Sequence, residues 1–263
     1  MDLGLKGRVA IVAAASKGLG RAVATELARE GAEVAICARS EENLQEAAAR
    51  IRAETGRDVF TWAVDVAEAD AVREFVEDVE AEYGRVDICV TNSGGPPAKP
   101  FLEISADEWR NAIHQLLMGT VWFAREVLPR MKKNSWGRFI TITSISVKQP
   151  IDGLMLSNSV RAAVAGLART LANEFGAYGI TVNNVCPGYT LTERLDELAE
   201  ATAHAGGISR QDVYAKWASA TPLGRLGKPE EFAALVTFLA SERASYINGT
   251  SIAVDGGMVR SLL

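Results

Sequence analysis

The sequence predicts one doubly wound α/β domain, with a seven-stranded parallel sheet and helices on both of its faces. Short apolar runs with the character of strands alternate with longer segments whose apolar residues recur at the helical period of 3.6. The strand-like runs are rich in Val and Ile with little polar alternation, which is typical of a parallel sheet covered on both sides. No stretch rich in Pro, Gly or Ser divides the 263 residues, so a single domain over 1–263 is expected.

Each element follows from its local pattern, and strand-then-helix repetition implies right-handed crossovers between parallel strands. The predicted strands span 9–13, 33–37, 59–64, 87–90, 139–142, 180–185 and 251–254. The predicted helices span 18–30, 41–54, 68–83, 105–130, 153–177 and 229–241. The segment 192–220 is amphipathic and contains Gly206 and Gly207, so we expect it to form a mobile lid over a substrate.

Composition excludes several classes of function. A net charge of −5 and a pI near 5.3 give no basic surface for a nucleic acid or an anionic membrane. No apolar run approaches the roughly 20 residues that span a bilayer, and the N-terminus has no signal-peptide pattern. The three cysteines lie far apart in apolar segments and only two histidines occur, so no metal site is expected. These features predict a cytoplasmic protein with buried thiols.

The segment 8–20 has the pattern of a phosphate-binding site. An apolar run ends in small residues, Lys17 and Gly18, and a helical pattern begins directly afterwards. A helix N-terminus presents unpaired N–H groups and a partial positive charge, and small residues allow a pyrophosphate to approach. A dinucleotide is therefore the expected ligand.

The other strands end in similar segments. In doubly wound sheets, ligands bind outside the carboxyl ends of the strands, where the strand order reverses. Turns are generally small and polar, but six such strand ends together favour a dinucleotide cleft over that simpler explanation. The segments are 14–20, 38–40, 65–66, 91–97, 143–146 and 187–192.

Three longer motifs make the chain resemble a known family. They are RAAVAGLARTLA at 161–172, GITVNNVCPG at 179–188 and PLGRLGKPEE at 222–231. Their order and spacing resemble the short-chain dehydrogenase/reductase family, in particular its ketoacyl-reductase-like members, from Lys6 to Gly257. The resemblance implies a Rossmann fold, a carbonyl or secondary-alcohol substrate, and a homotetramer or homodimer built on the two long helices and the C-terminal strand.

The resemblance also implies a nicotinamide cofactor, with one departure in the first turn. The family pattern there is Thr-Gly-x-x-x-Gly-x-Gly, and this chain has Ala14 at the first glycine. If the position needs a positive φ, an alanine is strained by about 1 kcal/mol. Lys17 and Arg39 stand where the family meets a 2′-phosphate, which favours NADP and leaves NAD possible. The cofactor-binding residues so implied are Ala14, Ser16, Lys17, Gly18, Leu19, Gly20, Arg39, Asp65, Val66, Asn92, Gly94, Pro187, Gly188, Thr190 and Thr192.

The catalytic residues depart further from the family's Asn, Ser, Tyr and Lys. Ser144 matches the serine, whereas Ser157 and Arg161 stand at the tyrosine and lysine, and Leu116 at the asparagine. The catalytic set implied is Ser144, Ser157 and Arg161. A serine hydroxyl is a much weaker acid than a phenol, and arginine stays protonated, so the family's proton donor is missing.

Other groups could donate the proton, namely Tyr189, His204 and Tyr214, although each is more simply a surface or packing residue. Arg161 is suited to bind a ribose hydroxyl, a phosphate or an anionic substrate. Alternatively, it forms a structural salt bridge. Two hypotheses remain: a divergent reductase or dehydrogenase acting through Ser144, or a dinucleotide-binding or scaffold protein without turnover.

Overall fold

A computed structural model describes residues 2–262 and shows the predicted seven-stranded sheet. The strands are β1 (Val9–Ala13), β2 (Glu33–Ala38), β3 (Phe60–Ala63), β4 (Ile88–Thr91), β5 (Gly137–Ile142), β6 (Ile180–Pro187) and β7 (Ser251–Val254). Every neighbouring pair of strands is parallel, in the order β3-β2-β1-β4-β5-β6-β7. The order reverses at β1, which pairs with both β2 and β4.

Helices cover both faces of the sheet, which confirms the doubly wound prediction. The helices are α1 (Gly18–Arg29), α2 (Glu41–Thr55), α3 (Ala69–Tyr83), α4 (Ala106–Ala112), α5 (Gly119–Lys133), α6 (Met155–Phe175), α7 (Glu193–Gly206), α8 (Arg210–Ala220) and α9 (Pro229–Leu239). Successive side chains of β1 point to opposite faces of the sheet. Ala10 and Val12 pack in the core formed with α1, α2 and α9, whereas Val9 and Ile11 pack in the core formed with α3, α5 and α6.

The helix predicted over 105–130 is not continuous. A π-helical turn, Ile113–Met118, separates α4 from α5, and α5 continues to Lys133. Directly after this turn, a Cβ on Gly119 would lie 2.9 Å from the carbonyl oxygen of Val66. The widened turn therefore places the backbone of Gly119 against the loop that follows β3. The apolar periodicity of the sequence does not predict this contact.

The cysteines behave as the sequence predicts. Cys37, Cys89 and Cys186 are buried free thiols, and burial raises the pKa of Cys37 to about 12. With so high a pKa the thiol stays protonated at neutral pH, and a protonated, buried thiol is chemically inert. Within residues 2–262 no helix combines the length and apolarity needed to cross a membrane, and no cluster of His, Cys, Asp and Glu could hold a metal ion.

The start of α1 packs very closely against the end of β1. A Cβ on Gly20 would lie 2.4 Å from the carbonyl oxygen of Ala14 and 2.9 Å from the Cα of Ala15. Ala14 itself has φ +49°, in the left-handed region. The positive φ considered from the sequence is thus present, and the alanine methyl group is strained there.

Replacing Ala14 by glycine is expected to raise the free energy of unfolding by about 1 kcal/mol, because glycine adopts a positive φ without strain. Chemical denaturation of both proteins measures the difference. Ala15→Gly is the control: Ala15 is buried and has no positive φ, so that change should lower stability. A loss of stability in Ala14→Gly would contradict the assignment of strain.

Gly20→Ala is expected to lower the free energy of unfolding by about 1–3 kcal/mol, because the new methyl group must displace backbone. Gly166→Ala in α6 is the matched control, since no atom lies within 4 Å of its Cβ position. There the substitution should be neutral or stabilising by up to about 1 kcal/mol. Equal effects of the two substitutions in thermal or chemical denaturation would refute the close-packing argument.

Candidate functional site

A cleft of about 810 Å³ runs along the carboxyl edge of the sheet. Its walls come from the segments after β1 to β6 and from the first turns of α7. Of the predicted site residues, only Gly20 does not line it, because Gly20 packs beneath Ala14. The residues that do are Ala14, Ser16, Lys17, Gly18, Leu19, Arg39, Asp65, Val66, Asn92, Gly94, Ser144, Ser157, Arg161, Pro187, Gly188, Thr190 and Thr192.

The N-terminus of α1 opens into one end of this cleft. The side chain of its N-cap residue, Lys17, makes no capping hydrogen bond, and no acidic residue lies in the first turn. By contrast, α2 is capped by Ser40 and α7 by Thr192. The first N–H groups of α1 are therefore available to an anion that approaches through the small residues of the turn.

Two basic side chains lie at the same end. Lys17 is 3.9 Å from the carboxylate of Glu197 on α7, a loose and largely exposed ion pair. Arg39, directly after β2, is exposed and forms no ion pair within the described part of the chain. Asp65 accepts a hydrogen bond from the N–H of Ala67 (3.1 Å) and so shapes the turn after β3.

Ser144 lies at the end of β5 with its hydroxyl in the cleft. Its Oγ accepts a hydrogen bond from the N–H of Ser146 (3.1 Å), so the hydroxyl proton remains available to a ligand. The side chain of Asn92, at the end of β4, donates a long hydrogen bond to the carbonyl oxygen of Ala14 (3.5 Å). The Asn92 contact joins the ends of β1 and β4, whereas the Ser144 contact shapes the turn that follows β5.

Arg161 is only 8% exposed, yet it lines the cleft. Its Nη1 donates to the carbonyl oxygens of Ile142 (3.2 Å) and Thr143 (3.0 Å) at the end of β5. Burial, and to a smaller extent the charge of Arg194, lowers the pKa of Arg161 to about 10. The guanidinium therefore stays charged at neutral pH.

Ser157, one helical turn before Arg161, is also 8% exposed and lines the cleft. Its hydroxyl has no hydrogen-bond partner among residues 2–262. Leu116, by contrast, is buried against Leu156 and Val160 on α6. Leu116 lines a void of only about 10 Å³, the lower limit for one water molecule, and this void shares Asn92 and Arg161 with the lining of the cleft.

The segment predicted as a lid is a helical hairpin. Gly207, with φ +61°, ends α7, and α8 begins with a capping box between Ser209 and Asp212. Trp217 of α8 stacks on Tyr189, whose ring centroid is 4.6 Å away. The hairpin is thereby attached to the loop that follows β6.

Arg194 in α7 is a cleft residue that the sequence interpretation missed. Its Nη2 donates to the carbonyl oxygen of Pro96 (2.8 Å), and its Nη1 is 3.1 Å from Glu197. A Cβ on Gly95 would lie 2.7 Å from the Arg194 Nε, so the glycine permits this contact. The only signal in the sequence is a basic residue at the start of a helix opposite a Gly-Gly-Pro loop.

The three alternative proton donors differ in position. Tyr189 lines the cleft, and burial raises its pKa above the ordinary value. The Tyr214 hydroxyl instead hydrogen-bonds Asp196, and neither Tyr214 nor His204 lines the cleft. Tyr189 is thus the only one of the three that can reach a ligand in the cleft.

Comparisons with known proteins agree with this geometry. The family model described as Enoyl-(Acyl carrier protein) reductase matches residues 13–259. The short-chain reductase protein NovJ of Streptomyces niveus is 36% identical over 249 residues, covering 95% of this chain and 93% of that protein. The 3-oxoacyl-[acyl-carrier-protein] reductase FabG of Pseudomonas aeruginosa is 34% identical over 261 residues, covering 98% and 100%.

Solved structures show the same relationship. L-sorbose reductase from Gluconobacter frateurii, complexed with NADPH and L-sorbose, superposes with a TM-score of 0.94 at 34% identity, covering 100% of both chains. The chain therefore belongs to the short-chain dehydrogenase/reductase family, as a member similar to the 3-oxoacyl-(acyl-carrier-protein) reductases.

Proposed function

We propose that this protein is a divergent, NADP-preferring oxidoreductase that interconverts a carbonyl compound and a secondary alcohol. One observation carries the proposal: a single cleft joins an uncapped helix N-terminus, the basic Arg39 and the hydroxyl of Ser144. The NADPH complex of L-sorbose reductase, a relative matched over its whole length, supports the choice of cofactor.

The residues present fit a dinucleotide. The first N–H groups of α1 and the small residues at 14–18 would hold the pyrophosphate, and Arg39 would pair with a 2′-phosphate. Asp65 and Val66 would contact the adenine, and Pro187 and Gly188 the nicotinamide end. NADPH supplies a hydride when bound.

The protein's own residues then handle the substrate oxygen. The free proton of the Ser144 hydroxyl would donate a hydrogen bond to the carbonyl oxygen, and the fixed charge of Arg161 would favour negative charge in that region. Neither group is a good proton donor at neutral pH, and the Ser157 hydroxyl is equally weak. We propose that the proton comes from water or from Tyr189, and that the rate is correspondingly low.

A second candidate is a non-catalytic dinucleotide-binding or scaffold protein. The strained Ala14, the buried Leu116 and the absence of a phenol at Ser157 favour it. For either function we propose a cytoplasmic homotetramer or homodimer, in which 192–220 closes over the ligand as a mobile lid.

Arg39→Ala is expected to weaken NADPH binding about tenfold, because one charge-assisted contact to the 2′-phosphate is lost. NADH binding should not change, since NADH has no such phosphate. Quenching of tryptophan fluorescence in parallel titrations measures both affinities. Arg50→Ala, on the exposed surface of α2 and paired with Glu46, is the matched control.

Equal weakening for both nucleotides would contradict the role of Arg39. Failure of the unmodified protein to bind either nucleotide would favour the scaffold.

Ser144→Ala is expected to lower kcat/KM for carbonyl reduction about 100-fold or more, because a donor to the developing oxyanion is removed. NADPH affinity should be unaffected. Steady-state kinetics on the best substrate from a carbonyl screen provides the measurement. Ser146→Ala is the control: the Ser146 hydroxyl is buried without a hydrogen-bond partner, and only its backbone N–H contacts Ser144. Unchanged activity in Ser144→Ala would disprove the assigned role.

A further inference from the structure

Arg161 is a buried cation that has no anionic partner in the described part of the protein. No ion pair joins it to a carboxylate anywhere in residues 2–262, although it is only 8% exposed. Both of its hydrogen bonds use Nη1 and end on backbone carbonyl oxygens. Its Nε and Nη2 have no acceptor among residues 2–262, and neither is among the fully buried atoms that lack a partner. Arg161 lines two open spaces, a void of about 10 Å³ and the cleft, and only the cleft has room for a ligand larger than water.

The neighbouring groups do not balance this charge. Ser157, on the same helix face, is neutral and also unpartnered, and Arg194 across the cleft is itself positive. Carbonyl oxygens solvate a guanidinium but do not neutralise it. A buried charge without a counter-ion is costly, and the two carbonyl oxygens offset that cost only in part. An anionic ligand in the cleft would supply the missing counter-ion.

The geometry of the unused nitrogens selects the shape of that ligand. Nε–H and Nη2–H point the same way from one edge of the planar guanidinium, and together they match the two oxygens of a carboxylate. A ribose offers two hydroxyls to such an edge, but no charge. Because Nη1 is held by the Ile142 and Thr143 carbonyls, the orientation of the edge is fixed before a ligand binds.

We propose that the Nε–Nη2 edge of Arg161 binds a carboxylate of the substrate side-on, so that the substrate is an oxo acid and the product a hydroxy acid. This inference rests on the proposed oxidoreductase function and names its substrate class. Arg161 is held 3.0 Å from the carbonyl oxygen of Thr143, the residue before Ser144, and both Arg161 and Ser144 line the cleft. The carboxylate is thus expected one or two carbons from the reacting carbonyl.

The remainder of the substrate is apolar. The cleft wall on this side carries Ile151 and Leu154 before α6 and Leu195 and Leu198 on α7. Such side chains favour an alkyl or aryl group over a second charged one. A 2-oxo or 3-oxo acid with an apolar chain would place its carboxylate on Arg161 and its chain against the apolar wall of the cleft.

The test compares acids with their methyl esters, which keep the carbonyl and lose the charge. Titration calorimetry measures the affinity of each ligand for protein saturated with NADP⁺. The acids are 4-methyl-2-oxopentanoate, phenylpyruvate and 3-oxohexanoate, and each is compared with its own methyl ester. At least one acid is expected to bind about tenfold more tightly than its ester, because only the acid makes the charged bidentate contact. If no acid binds more tightly than its ester, the proposal is overturned.

Variants of Arg161 test whether this residue is the cause of the preference for acid over ester. Arg161→Gln should remove the preference for acid over ester, whereas Arg161→Lys should retain part of that preference. Arg169→Gln, farther along α6 and bonded to the carbonyl oxygen of Gly249, is the control that should change nothing. Melting curves of each variant verify that it is folded. The comparison of acids with esters on the unmodified protein tests the proposal even if a variant does not fold.

Three other outcomes can be told apart. If Arg161→Gln weakens NADPH binding and leaves the acid–ester ratio intact, Arg161 serves the cofactor ribose and the proposal is wrong. If the unmodified protein binds NADPH but shows no acid preference, only the substrate class fails. If it binds no nucleotide, the proposed oxidoreductase function itself fails, and an acid preference measured without nucleotide then decides whether Arg161 binds carboxylates.

Discussion

The contact between the start of α1 and the end of β1 is the constraint on which the site depends. Gly20 brings helix backbone against the Ala14 carbonyl, at a distance that no side chain could occupy. That approach aims the N-terminus of α1 at the point where the strand order reverses. Asn92 then bonds the same Ala14 carbonyl from β4. One backbone group thereby joins the first helix to the two strands that bound the cleft.

The distribution of charge distinguishes the cleft from the rest of the protein. The chain as a whole is acidic, with a net charge of −5, whereas the cleft is lined by four basic side chains and three acidic ones: Lys17, Arg39, Arg161 and Arg194 beside Asp65, Glu193 and Glu197. Within residues 2–262, Lys17 and Arg194 share Glu197, and Arg39 and Arg161 form no ion pair. A concave surface with unmatched positive charge attracts and concentrates anionic ligands.

The sequence predicted the sheet and the position of the cleft well, because both depend on local patterns. Apolar runs mark buried strands, and small polar residues mark the strand ends that converge at one edge. Seventeen of the eighteen predicted site residues line the cleft for this reason, and Gly20 lies just beneath it. The roles assigned to these residues remain predictions.

Features that depend on contacts distant in sequence could not be predicted. The π-helical turn at Ile113–Met118 accompanies the approach of Gly119 to the Val66 backbone, which periodicity does not encode. Arg194 reaches Pro96 across 98 positions of the chain. The sequence also left open whether Arg161 forms a salt bridge. Only the folded chain shows that its Nη1 is held by backbone carbonyls and its other two nitrogens are not.

Glu197 connects the phosphate-binding turn to α7. Its carboxylate contacts both Lys17, beside that turn, and Arg194, which reaches Pro96. An anion bound at Lys17 would compete with Glu197 for the lysine. The charge environment of Arg194 would then change as well, although Arg194 itself need not touch that anion.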